Sequence, residues 1–171
     1  MIRPANVNDA KQIQKIYAYY VTDTAITYEY DVPSVEEMKS RLEKIMEKYP
    51  YFVVEENGVI KGYAYASAFH ERAAYSHCVE VSIYLDKDEK KKGYGSALYK
   101  ELEAALKKMN IKNLYACIGD PIVEDEYLTK DSERFHARMG YKKIGEFHKC
   151  GYKFDRWYNM IWMEKLIGAH D

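Results

Sequence analysis

The chain reads as a mixed α/β domain in which helices cover both faces of one sheet. Three observations predict this. An Asn57-Gly58 dipeptide joins two apolar runs, residues 79–85 alternate between apolar and polar, and helical periodicities recur between the strand-like segments. The order that emerges is α, α, β-hairpin, β, α, β, α, β, β.

Residues 8–20 place Ile13, Ile16, Tyr17 and Tyr20 at helical spacing, with Asn8 or Asp9 positioned to cap the start. Ser34 follows Pro33 and precedes Glu37 by three, the signature of a capping box for a second helix reaching about Lys48. Residues 51–56 and 59–68 flank Asn57-Gly58, which accepts the positive φ values of a tight hairpin turn. In the next strand Val79, Val81, Ile83 and Leu85 share one face, and Glu80, Ser82 and Tyr84 the other. A helix to about Met109 carries Leu98, Leu102, Leu106 and Met109 on its buried stripe. Leu114 to Ile118 reads as a short buried strand. Asp131 or Ser132 caps a helix through Met139, which Gly140 ends. Two last strands cover Tyr141–His148 and Tyr158–Leu166.

At 171 residues the chain suits one domain that buries roughly two-thirds of its unfolded surface. It contains no repeat or low-complexity linker. The net charge of −1 gives no bulk attraction to nucleic acid or to a membrane surface, so a charged partner must be met by a local patch. No stretch approaches the ~20 apolar residues of a membrane span, and the start lacks a signal-like apolar core. Cys78, Cys117 and Cys150 lack the paired spacing of a zinc or dithiol site and read as small buried hydrophobes. A cytosolic protein without a metal is the expectation.

The segment Lys90-Lys91-Lys92-Gly93-Tyr94-Gly95-Ser96 joins a strand to a helix N-terminus. Backbone N–H groups there lack intrahelical partners, glycine lets the chain approach a ligand, and the helix dipole favours an anion such as a pyrophosphate. It is not a P-loop, because no Gly-Lys-Ser/Thr follows. Nor is it a dinucleotide fingerprint, because Leu98 stands at the third glycine position.

Lys90-x-x-Gly93-x-Gly95 after a strand resembles the acyl-CoA loop of the GNAT superfamily of N-acetyltransferases, with Lys90 at the usual Arg/Gln position. The resemblance narrows to the phosphinothricin acetyltransferase-like branch. It runs through Ile2-Arg3-Pro4-Ala5, Tyr28-Glu29, Tyr75 with Val79-Glu80-Val81-Ser82-Ile83-Tyr84, Ser132-x-x-Phe135-His136 with Gly140-Tyr141, and Gly151-Tyr152-Lys153 with Trp157. It implies a mostly antiparallel sheet whose two central strands splay apart to admit the pantetheine arm of acetyl-CoA, the co-substrate. It implies main-chain contacts from Ile83, Tyr84 and Leu85, and a pyrophosphate wrapped by Lys91, Lys92, Gly93, Tyr94, Gly95 and Ser96. Thr129 replaces the family's usual Asn ahead of the last helix, where the resemblance implies a cofactor contact, and Asp120 to Lys130 is longer and more acidic than usual. Members of the family often form dimers.

Amine acetylation needs a base, a group that stabilises the oxyanion, and a route for the thiolate to leave. Glu80 is the candidate base, acting directly or through water; its competing reading is an ion pair with Arg72 or a lysine. His136 stands where many relatives carry a tyrosine that protonates the sulfur, and reads equally as a packing residue; Tyr84, Tyr127 and Tyr141 are other donors. The Tyr84 N–H is the candidate oxyanion group if a bulge opens the strand. Tyr28, Phe69, Arg72 and Tyr75 are candidates for selecting the acceptor, with Arg72 binding a carboxylate bidentately. The expected acceptor is a small amino acid-like amine: phosphinothricin, methionine sulfoximine, methionine sulfone or a related amino acid. An acyl-CoA-binding module without turnover and a peptide or protein N-acetyltransferase are the alternatives.

Overall fold

A computed structural model describes residues 1–171. Strand β1 (Ile2–Pro4) leads through a 3-10 turn (Val7–Asp9) into helices α1 (Ala10–Asp23) and α2 (Val35–Met46). The hairpin β2 (Tyr51–Glu56) and β3 (Val59–Ala68) follows, then a 3-10 turn (Ala73–Tyr75) and β4 (Cys78–Leu85). Helix α3 (Tyr94–Lys108), β5 (Asn113–Asp120), α4 (Asp131–Arg138), β6 (Lys142–Lys153) and β7 (Arg156–Leu166) complete the chain. The strand order is β1-β2-β3-β4-β5-β7-β6, and every pairing is antiparallel except β4 with β5.

The alternation within strands sorts the core into two layers. Val79 and Val81 of β4, Leu114, Ala116 and Ile118 of β5, and Ile161 and Met163 of β7 meet Leu98, Leu102 and Leu106 of α3. On the opposite face α1 and α2 bury Ile13, Ile16, Tyr17, Tyr20, Met38 and Leu42 against Tyr51, Val53 and Tyr63. That second layer reaches only as far as Tyr84 of β4. Beyond β4 no helix covers this face.

Sequence and structure agree on the hairpin turn, where Asn57 and Gly58 take φ of 51° and 78°, and on Ser34, whose hydroxyl accepts from Glu37 N at 3.0 Å. They part at other ends. Asn6, not Asn8 or Asp9, caps the first helical segment, because the Asp9 carboxylate is drawn to the Arg3 guanidinium at 2.8 and 2.9 Å and accepts from Asn6 N. Neither Asp131 nor Ser132 caps α4: the Thr129 hydroxyl accepts from Asp131 N at 3.3 Å. Met109 is 42% exposed, having slipped past the last turn of α3. Strand β6 extends past His148 to Lys153 through an irregularity between Phe147 and Gly151, and β1 adds a short edge strand. The cysteines are not core residues; Cys117 and Cys150 are exposed.

Candidate active site

The site is made by an interruption of the sheet. β4 and β5 pair only from Cys78 with Asn113 to Glu80 with Tyr115. β4 stays bonded to β3 as far as Leu85, and β5 to β7 as far as Asp120. The two strands therefore diverge after Glu80. Val81, Ser82, Ile83 and Tyr84 form one wall of the opening and Ala116, Cys117, Ile118 and Gly119 the other, with Tyr99, Ser132 and His136 beneath. The β3–β4 register runs unbroken from Gly62–Leu85 to Ala68–Val79. The bulge expected at Tyr84 is thus absent: Asp86 N donates to Lys61 O, so alternation turns the Tyr84 N–H toward Tyr63 of β3, and it is the main-chain groups of Val81, Ile83 and Leu85 that face the opening.

The opening continues into a cleft of about 330 Å³ lined by Ile83, Leu85, Lys90, Lys91, Gly95, Ser132, Phe135 and Arg138. Gly93 at φ 83° sets the start of α3 and offers no side-chain cap. No protein acceptor meets the N–H groups of Tyr94, Gly95 or Ser96, which leaves an anion cradle at the positive end of the helix. A diphosphate fits this donor set. Gly95 serves packing as well, since a Cβ there would lie 3.2 Å from the Phe135 ring. Two residues expected at the cofactor stand apart from the cleft lining. The Lys92 ammonium is held by Glu89 at 2.5 Å, which also binds Lys61 at 3.0 Å, so its charge is spent away from the cleft. Thr129 is exposed and outside the lining, its hydroxyl occupied by the turn into α4. The Leu85 carbonyl accepts from the Tyr20 hydroxyl at 2.5 Å.

Glu80 sits half-buried at the apex of the split, on the face with Tyr115. It forms no ion pair, so the pairing with Arg72 or a lysine is not found, and burial raises its pKa above the ordinary carboxylate value. His136 is buried; its Nδ1 lies 2.7 Å from the Ser132 carbonyl and its Nε2 2.8 Å from the Tyr99 hydroxyl. A carbonyl only accepts, so Nδ1 carries the proton and Nε2 accepts from Tyr99. Burial pulls the His136 pKa down to about 4. His136 is a neutral ring whose single N–H is already used, which argues against direct proton delivery to sulfur. The Tyr84 ring packs among Tyr17, Tyr20 and Tyr63, and burial holds its pKa well above the ordinary phenol value. Tyr141 keeps its hydroxyl buried without a partner, and Tyr127 stacks on Phe154 at 4.0 Å.

The acceptor candidates occupy two stations on the uncovered face. The Tyr28 ring spans β5 and β6, donating from its hydroxyl to the Asn159 carbonyl at 2.6 Å. Glycine is required under it: a Cβ at Gly119 would stand 3.1 Å from the Tyr28 hydroxyl oxygen, and one at Gly151 2.5 Å from the ring. Phe69 lies instead with Tyr75, Tyr115 and Trp162, and Arg72 is exposed with no ion pair. Sequence reasoning overlooked Tyr99, Tyr115, Cys117 and Trp162. Period-two alternation through Leu114, Ala116 and Ile118 carries the signal for Tyr115 and Cys117, whereas nothing local marks Trp162 or Tyr99.

An open mixed sheet, split at its only parallel pair beside an uncapped helix start, defines a CoA-thioester acyltransferase. The acetyltransferase (GNAT) domain pattern matches residues 2–162, and the chain belongs to that family as an acetyl-CoA-dependent N-acetyltransferase. It is 31% identical over 170 residues to the phosphinothricin N-acetyltransferase of Streptomyces coelicolor, spanning 97% of this chain and 95% of the relative. It is 30% identical over 159 residues to that of Streptomyces viridochromogenes, spanning 93% and 83%. A phosphinothricin acetyltransferase from Sinorhizobium meliloti solved in complex with acetyl-CoA superposes with a TM-score of 0.90 at 35% identity, over 98% of this chain and 88% of that one.

Proposed function

We propose that the chain moves the acetyl group of acetyl-CoA to the amino group of a small amino acid by direct attack in a ternary complex. The observation that carries this reading is Glu80: a half-buried, unpaired carboxylate with a raised pKa, standing where β4 and β5 separate. Such a group takes a proton from the acceptor's ammonium near neutral pH. The thioester supplies an activated acetyl group with a thiolate that leaves. The main-chain N–H groups of Val81, Ile83 and Leu85, which face away from β3, stabilise the oxyanion that attack creates. Lys90, Lys91 and the amides of Gly93, Tyr94, Gly95 and Ser96 hold the diphosphate, with Ile83 and Leu85 flanking the pantetheine path. His136 and Tyr99 act as a neutral, hydrogen-bonded floor. The acceptor lies over Tyr28, Phe69, Arg72 and Tyr75.

Phosphinothricin, methionine sulfoximine and methionine sulfone belong to the shape class that this site admits, alongside ordinary amino acids. A homodimer through the β6 edge accords with the exposure of Ile144, Phe147 and Trp157, and the unpaired cysteines suit a reducing cytoplasm. A thiol-release assay with acetyl-CoA against a panel of amino acids, run beside Glu80→Gln, tests the reading. Turnover that survives unaltered in the variant removes Glu80 from the mechanism.

A further inference from the structure

The face of β5 and β7 left bare by α1 and α2 is not a random surface. Phe69, just beyond β3, lies tilted against Tyr115 of β5 with ring centroids 4.5 Å apart. Trp162 of β7 meets Phe69 edge-on at 5.6 Å, and Tyr75 does so at 6.1 Å. Three of these rings are half-buried and Tyr75 is 39% exposed, so together they form an open aromatic shelf. Asn113 fixes the Tyr115 hydroxyl at 2.9 Å. The shelf is continuous with the reaction centre, because Tyr115 is the register partner of Glu80.

Ionisable groups at this station are few: the His70 ring packs on Phe69 and Tyr75 with centroids 4.5 and 4.9 Å away, and Glu71 precedes Arg72. Arg72 lies between Phe69 and Tyr75 in the chain, at the start of the 3-10 turn, exposed and in no ion pair. Arg3, Arg41, Arg134 and Arg156 are all bound to carboxylates, and Arg138 borders the diphosphate cleft. Glu164 faces Tyr115 across β5 and β7. One free guanidinium suits one carboxylate, and the ionisable groups near it are Glu80, Glu164 and the exposed His70 ring, with no second arginine or lysine paired to the shelf.

We propose that Phe69, Tyr115 and Trp162 form the side-chain subsite of the acceptor, and that the preferred acceptor is a monocarboxylic α-amino acid with an aromatic side chain. Its carboxylate binds Arg72 and its amino group faces Glu80. This rests on the reading of Glu80 as the base and narrows it to a substrate class. Offset and edge-on ring contacts with a bound aromatic side chain supply the discrimination.

The experiment follows thiol release and product mass with acetyl-CoA and L-phenylalanine, L-tyrosine, L-tryptophan, L-phosphinothricin, L-methionine sulfone and 2-phenylethylamine. The expected kcat/KM for the aromatic amino acids exceeds that for phosphinothricin by about tenfold or more. Trp162→Leu and Phe69→Leu raise KM for L-phenylalanine about tenfold, while KM for acetyl-CoA stays at the wild-type value. Trp162→Phe, which keeps a ring, restores most of the loss. Arg72→Ala removes the advantage of L-phenylalanine over 2-phenylethylamine. A preference for phosphinothricin overturns the proposal. So does an equal loss on every acceptor in the shelf variants, the result expected if the rings are purely structural or if a second copy of the chain covers them. Absence of thiol release with every amine brings down the Glu80 reading itself, and the subsite with it.

Discussion

The two sides of the split between β4 and β5 are made of different material. The donor side is main chain and helix end: the edge of β4, the loop 90–96 and the unpartnered amides at the start of α3. The proposed acceptor side is side chain, assembled from residues 28, 69, 72, 115 and 162 on separate elements. A site built on backbone depends on where the chain runs, and one built on side chains depends on which residues stand there. Substitution therefore acts differently on the two sides.

The sharpest break in that comparison is Glu80, where the sides meet. Glu80→Gln lowers kcat by about 10²–10⁴-fold and leaves KM for acetyl-CoA unchanged, as steady-state kinetics will show. In the wild type, activity falls as pH drops through the raised Glu80 pKa, because only the carboxylate accepts a proton. A comparable loss of KM for acetyl-CoA in the variant joins the two sides into one unit.

The floor beneath the split responds to acid. His136 titrates near 6.5 in the unfolded chain and near 4 when folded, so below about pH 6.5 the unfolded state binds the extra proton. Stability is full above pH 6.5 and declines toward pH 4, by an amount on the order of 3 kcal/mol. Denaturant melts at pH 7, 5.5 and 4.5 read this slope, and His136→Gln flattens it.

The Tyr28 seat gives a smaller effect on the acceptor side alone. Gly151→Ala drives a Cβ into the Tyr28 ring, 2.5 Å away, and lowers stability by about 1–3 kcal/mol. KM for the acceptor rises in the same variant and KM for acetyl-CoA does not. Smallest is Lys91→Ala on the donor side, where an exposed lysine is worth about 1 kcal/mol or less. Its rise in KM for acetyl-CoA is a few-fold and fades as salt is added.

The contrast also explains what the sequence revealed. The anion loop was legible because its parts are consecutive: a strand, a lysine run, two glycines and an amphipathic helix. Glu80 was legible because alternation in β4 separates it from Val79 and Val81. The aromatic shelf was not, since Phe69 and Trp162 meet only through the crossover that sets β7 beside β5. Capping was misjudged where tertiary contacts intervene: Arg3 of β1 claims Asp9, and Thr129 takes the role expected of Asp131 or Ser132. Lys92 looked free because its partner Glu89 lies within the same polar loop, where sequence gives no pairing.

The three-residue seam between β4 and β5 has one more outcome. Two strands that part after so short a seam each leave a row of amide and carbonyl groups whose natural complement is another extended amide chain. The protein thus carries the template for its own missing ladder, and a guest of matching length finishes the sheet for as long as it stays. Because that fit is read from peptide groups, side chains along the strip are free to drift with the packing around them while the grip on the guest persists.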